Sequence, residues 1–326
     1  MLFRSDGRFY VAGDFESVGG RPAPKVARYL ASGVPDPGFV APVCDGTVWR
    51  LLPEPGGGVM VAGTFTVVDG EARPLLVRLA PDGSLDRTFA VCPLRGTVQG
   101  LTRDAAGRTI VFGSLTHDLS RNIFRLLADG RVDPSFTGSG GYSVSAVLVQ
   151  SDGRILMGSD GEGLVRLLAD GAPDPTFSTA AWRVSGTPGA LLALGDGRIL
   201  AGGSFALAGG GGMKFLVRLS ADGQLDPTFA AAAEVTAHVG GLAGQSGGRI
   251  LVTEAYNGAV RRLLPDGALD LTFHPRPSIS GVSYRVAVEG DGRVLLGLSR
   301  SSLDAAPSLL RLTVDGRSEE RRVGKE

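Results

Sequence analysis

The chain has 326 residues, 43% of them apolar, with 50 glycines and 19 prolines, and its 33 Lys+Arg balance 33 Asp+Glu. Lysine occurs only at Lys25, Lys214 and Lys325, so there is no basic stripe to neutralise a phosphate backbone, and nucleic acid is excluded as the expected partner. No apolar run reaches membrane-spanning length, and no signal-peptide pattern precedes Arg4.

In chain order, the same pair of signatures keeps returning. SDGRFYVAG (5–13) leads to RYLASGVPDPGF (28–39), and PGGGVMVAG (55–63) to RLAPDGSLDRTF (78–89). AAGRTIVFG (105–113) leads to RLLADGRVDPSF (125–136), and SDGRILMG (151–158) to RLLADGAPDPTF (166–177). GDGRILAGG (195–203) is followed by RLSADGQLDPTF (218–229), SGGRILVTE (246–254) by RLLPDGALDLTF (262–273), and GDGRVLLGL (290–298) by RLTVDG (311–316). The leading arginines, from Arg28 to Arg311, are 41 to 52 residues apart. A period of that length marks stacked supersecondary units, starting near 5, 46, 96, 142, 186, 236 and 281.

Each unit reads as four extended segments. The first is short and mixed, as in GTVWRLL (46–52). A turn on Asp-Gly, Gly-Gly or Ala-Gly follows, where glycine supplies positive φ. The second segment is an unbroken apolar run, expected of a strand covered on both faces. The third alternates and reaches another Asp-Gly turn, and the fourth carries the LDPTF-type residues. Nothing sustains a helical period between the glycines. One four-stranded meander cannot bury both faces alone, but seven packed face to face around an axis can, so the predicted fold is all-β, a seven-bladed β-propeller. Proline at 37, 134, 175 and 227 suits an outer edge strand, and the phenylalanine after it suits packing between blades.

These residues resemble the delta-60 repeat family of bacterial β-propellers, with a core like LARL-x-x-DGSLDPSF preceded by DGKILVGG. The resemblance spans about residues 5–316. It implies a part of a large exported or surface-associated bacterial protein and carries over no catalytic residues. The chain departs from the pattern at Ser32, Arg87 and Leu271. MLFRSDGR keeps only the end of a first segment, and RSEERRVGKE (317–326) replaces the expected Asp-Pro-x-Phe continuation. That decapeptide resembles the translation of a sequencing-library adaptor, so the ring is expected to be incomplete at both ends.

Chemistry is sparse. His117, His238 and His274 fall at unrelated repeat positions, and no zinc, nucleophile-elbow or phosphate-loop motif is present. GGGG (209–212) reads as a linker. The paired aspartates of D-G-x-x-D, such as Asp82 and Asp86, leave most of a calcium shell unfilled, so no cofactor is expected and calcium is the lesser alternative. The first aspartate should shape its turn and the second should pair with the arginine across the hairpin. Cys44 and Cys92 are expected to be small buried residues, with a disulfide between neighbouring repeats as the alternative.

In such a meander the Asp-Gly turns share one face of the ring, and the connections that vary in length share the other. Binding residues favour variable loops on a uniform scaffold. The polar and aromatic candidates there are Asp45, Trp49, Arg95, Tyr142, Trp182, Arg183, His238 and Arg276. The expected function is that of a non-enzymatic scaffold, a monomeric ring binding a glycan, peptide or protein. A polysaccharide-acting enzyme, with Asp45 and Glu234 as first carboxylates, and a structural spacer are the alternatives.

Overall fold

A computed structural model describes residues 2–3, 7–13, 15–18, 20–117, 121–138, 141–179, 188–206, 213–229, 235–255, 257–275, 283–299 and 309–318. Trp182, Arg183, Glu234, Arg276, the 209–212 glycines and residues 319–326 lie outside them.

The described residues form seven three-stranded antiparallel sheets, each a meander in chain order, and two short hairpins. In the second sheet Val48–Pro53 pairs with Val59–Gly63, which pairs with Leu76–Leu79. The other sheets repeat that arrangement, and their first strands lie side by side from one sheet to the next. The chain is therefore all-β and propeller-like.

The apolar second strands explain why the sheets stack. Val59 and Val61 enter the core shared with the first sheet, whereas Met60 and Ala62 enter the core shared with the third. Ile110 and Phe112 likewise face the fourth sheet while Val111 faces the second. Six such clusters fill the spaces between consecutive sheets. A strand with both faces covered cannot alternate with polar residues, and the VMVAG-type runs do not.

Four strands per sheet are predicted from the sequence, but three form. The fourth segment is reduced to a single bridge, such as Leu79 to Leu85, Leu126 to Val132 or Leu167 to Pro173. The next residue ends it. The Asp133 carboxylate accepts the Ser135 amide at 2.9 Å and the Ser135 hydroxyl at 2.7 Å, which bends the chain out of the ladder. Pro134 between them has no N–H to extend the pairing.

That bend builds a latch between sheets. Arg28, Arg78, Arg125, Arg166, Arg218 and Arg262 each place Nε 2.6–2.8 Å from the aspartate of their own hairpin. Nη1 of the same side chain donates to a carbonyl in the Asp-Gly turn of the following sheet, as from Arg78 to Ala128 at 2.7 Å and from Arg125 to Ala169 at 2.7 Å. The guanidinium also lies 4.6–5.0 Å over the phenylalanine ring that ends the repeat. Four of those rings, Phe89, Phe136, Phe177 and Phe273, press on the glycine of the next turn. A Cβ on Gly130 would sit 2.8 Å from Phe89, and one on Gly223 would sit 2.8 Å from Phe177. Glycine is required there by contact as well as by its φ of +90° or +94°.

Cys44 and Cys92 are free thiols buried in different inter-sheet cores, so no disulfide joins them. Burial pushes both thiols up to about 11. No helix among the described residues is long and apolar enough to cross a membrane.

Candidate functional site

Hydrogen bonds place the two classes of variable connection together. Thr64 N–H donates to Thr47 O at 2.9 Å, Asp160 N–H to Ser143 O at 3.1 Å and Ala255 N–H to His238 O at 2.7 Å. Each bond ties the link entering a sheet to the link between that sheet's second and third strands. The turns between first and second strands, on Gly-Gly, Ala-Gly or Asp-Gly, are joined to one another at the opposite ends of the strands, where Arg103 reaches Pro53 O at 2.9 Å and Gln245 reaches Gly292 O at 2.8 Å.

At the variable end, five first strands carry an extra residue at the same place. Pairing slips at Trp49, Gln99, Ser145, Gly189 and Gly240, each between a residue opposite Gly63, Gly113, Ser159, Gly203 or Glu254 of the second strand and one a step further in. A β-bulge in an antiparallel pair turns the local backbone and re-aims its side chain. Repeated around the stack, these bulges direct side chains and carbonyls toward the inner edge.

The groups so presented form a polar belt that crosses every junction from the second sheet to the seventh. Arg50 Nε donates to Gln99 O, and Gln99 Nε2 donates to Ser143 Oγ at 2.9 Å. Ser145 Oγ donates to Pro188 O at 2.6 Å. Ser204 Oγ and His238 Nδ1 are 3.0 Å apart, and Arg285 Nη1 reaches Gly240 O at 3.1 Å. Burial lowers the His238 pKa and favours its neutral ring. Burial pushes Arg50 down to about 10, and the nearby Arg285 guanidinium adds repulsion. The packing around Arg285 lowers its pKa as well, although its side chain is exposed to solvent.

The candidates read from the sequence separate into three groups. Trp49 is 45% exposed and sits on a bulge next to Arg50, and His238 is part of the belt. Tyr142 is 52% exposed, with its ring over Gly161, where a Cβ would be 2.3 Å away. Arg95 is exposed at the outer end of its strand, opposite Thr116. Asp45 serves its own loop instead. It accepts the Thr66 amide and hydroxyl at 2.7 Å each and the Val67 amide at 3.0 Å, and the Val67 and Thr66 bonds hold its pKa below the usual carboxylate range. Trp182, Arg183 and Arg276 fall outside the described residues.

Sequence reasoning missed Arg50, Gln99, Arg285 and Glu254. Glu254 is fully buried at the end of its strand, accepting from Arg261 at 2.7 Å and Asn257 at 2.8 Å, and it holds the loop between them. Nothing in RILVTE distinguishes that role. Arg50 and Arg285 did leave a signal. The same repeat position holds Gly100, Ala146, Ala190 and Gly241 in the four sheets between them.

The paired aspartates of each hairpin are engaged in turns and latches, and no group of three or more His, Cys, Asp or Glu side chains gathers among the described residues. The second carboxylate of the D-G-x-x-D spacing bonds an arginine and a hydroxyl, as Asp86 does with Arg78 and Thr88.

The sheets and this belt define a β-propeller repeat protein. A family model described as "domain of unknown function (DUF5122) beta-propeller" matches residues 4–39, 57–89, 150–177, 194–229 and 245–273, which supports an uncharacterised β-propeller repeat family for this chain. No curated protein matches the sequence. Among solved structures, virginiamycin B lyase from Staphylococcus aureus matches with a TM-score of 0.59 at 13% identity, covering 84% of this chain and 83% of that one. A streptogramin B lyase matches with a TM-score of 0.58 at 16% identity, covering 91% and 88%. These likenesses concern the fold. They correct the expectation of a non-enzymatic protein, because an architecture that houses lyases is compatible with enzymatic activity.

Proposed function

We propose that the seven sheets form one seven-bladed propeller, a delta-60-type unit of an exported or surface protein, whose variable face binds a carbohydrate. The observation that carries this reading is the polar belt at the inner edge, flanked by two exposed aromatic rings, Trp49 and Tyr142. Sugars offer hydroxyls to such carbonyls and amides and apolar ring faces to such aromatics. Trp and Tyr supply that amphipathic contact at low conformational cost. The test is a tryptophan-fluorescence titration with a panel of oligosaccharides. Saturable quenching that Trp49→Ala abolishes supports the reading. A protein whose fluorescence no oligosaccharide alters, or a Trp49→Ala variant that binds as well as the parent, refutes it.

A second reading, catalysis on that carbohydrate, is favoured by the Ser204–His238 contact. A neutral imidazole at the mouth is suited to accept a proton from a bound hydroxyl or carbon acid. If product forms from a bound oligosaccharide and His238→Ala stops it without weakening binding, the protein is an enzyme.

A further inference from the structure

Arg50 and Arg285 terminate the polar belt. Arg50 is on the first strand of the second sheet and Arg285 on that of the seventh, at equivalent positions facing Ala62 and Gly297. Glycine or alanine fills this place in the four sheets between. Each guanidinium donates to main-chain oxygens: Arg50 to Gln99 O and, at 2.9 Å, Trp49 O, and Arg285 to Gly240 O at 3.1 Å. Among the described residues neither forms an ion pair with a carboxylate. Every latch arginine, by contrast, has its own aspartate.

Two like-charged guanidinium groups at the inner edge, each bonded only to main-chain oxygens and neither paired with a carboxylate among the described residues, form a poor arrangement for a scaffold alone. A guanidinium is planar, and its donor fork matches an oxyanion. We propose that Arg50 and Arg285 form an anion-binding site at the inner edge of the variable face, taking a carboxylate carried by the ligand. On the carbohydrate reading above, that makes the ligand an acidic sugar of the uronate class. The carboxylate would cancel the repulsion while the belt carbonyls and Trp49 hold the rest of the ring. Position favours this over a latch role, because neither arginine meets the turn face, where the latches lie.

The test is a calorimetric titration with trigalacturonate and with its methyl ester, which keeps the shape and removes the charge. It is run at low salt on the parent protein, Arg50→Gln, Arg285→Gln and the double variant, with melting curves to establish folding. The parent should bind the acid at least tenfold more tightly than the ester. Each single substitution should weaken acid binding by roughly tenfold, and the double variant should treat acid and ester alike. Equal binding of acid and ester by the parent overturns the anion site and leaves the carbohydrate reading intact. A small free carboxylate separates the remaining cases. If neither sugar binds, but a few millimolar citrate raises the melting temperature of the parent and not of the double variant, the anion site stands and the carbohydrate reading falls. If citrate also acts equally on both proteins, the anion site falls too.

Discussion

The two ends of the strands are built from different rules. At the Asp-Gly end the six described junctions share two contacts, an arginine on its own aspartate and its Nη1 on the next turn, and at four of them a phenylalanine also presses on the next glycine. At the other end, connections of unequal length meet, and each junction of the belt is made by a different pair of residues. Repetition marks what every sheet needs to hold its neighbour. Variation marks what no single sheet needs. On the function proposed above, stability and recognition fall on opposite faces of the same stack.

The comparison can be broken most forcefully at a latch. Phe136→Ala removes a fully buried ring from between Arg125 and Gly171 and should cost about 3–5 kcal/mol, read as a lower midpoint in denaturant unfolding. Asp270→Asn leaves Arg262 buried without its counter-charge and should cost about 3 kcal/mol by the same measurement. If either variant unfolds like the parent, the latch is decoration.

Acid titrates the latches together. Burial alone would raise the Asp174 carboxyl, but the Thr176 hydroxyl and amide and then Arg166 reverse that and hold it at about 2; Asp270, with Thr272 and Arg262, is also at about 2. A carboxyl depressed in the folded state stabilises fully above its unfolded pKa of about 3.9, and that stabilisation is lost as pH falls toward the folded value. Melting temperature should therefore drop steeply between about pH 4 and pH 2, and Asp174→Asn should flatten part of the drop.

The smallest effect is predicted at the opposite face. Trp49→Ala should change unfolding free energy by less than about 0.5 kcal/mol, because the ring is exposed and belongs to no inter-sheet core. A large loss of stability there would erase the division between the faces.

How far the sequence discloses this depends on whether a feature recurs. The stacked sheets, the arginine–aspartate pair across each hairpin and the phenylalanine between sheets all follow from copies lying in register. The reach of Nη1 into the next sheet was not legible, since it is a contact between repeats rather than within one. Neither was the loss of the fourth strand: LDPTF has an extended pattern, and only the aspartate's capture of the next amide shows why it turns away. Asp45 read as a mouth carboxylate because loops on the variable face are expected to carry function, yet its oxygens close its own loop. Arg50 and Arg285 are single departures from a small-residue position, visible only when the repeats are set against each other at the bulge.

Hydrogen exchange by mass spectrometry, with and without trigalacturonate, tests the division of labour most directly. Amides of the latched turns, such as 129–136 and 170–177, should exchange only with global unfolding and remain unchanged by ligand. New protection should be confined to the inner edge of the variable face, around 47–51, 97–101 and 283–287. Ligand-induced protection centred on the Asp-Gly turns, or turns that open more readily than the variable connections, would contradict the account.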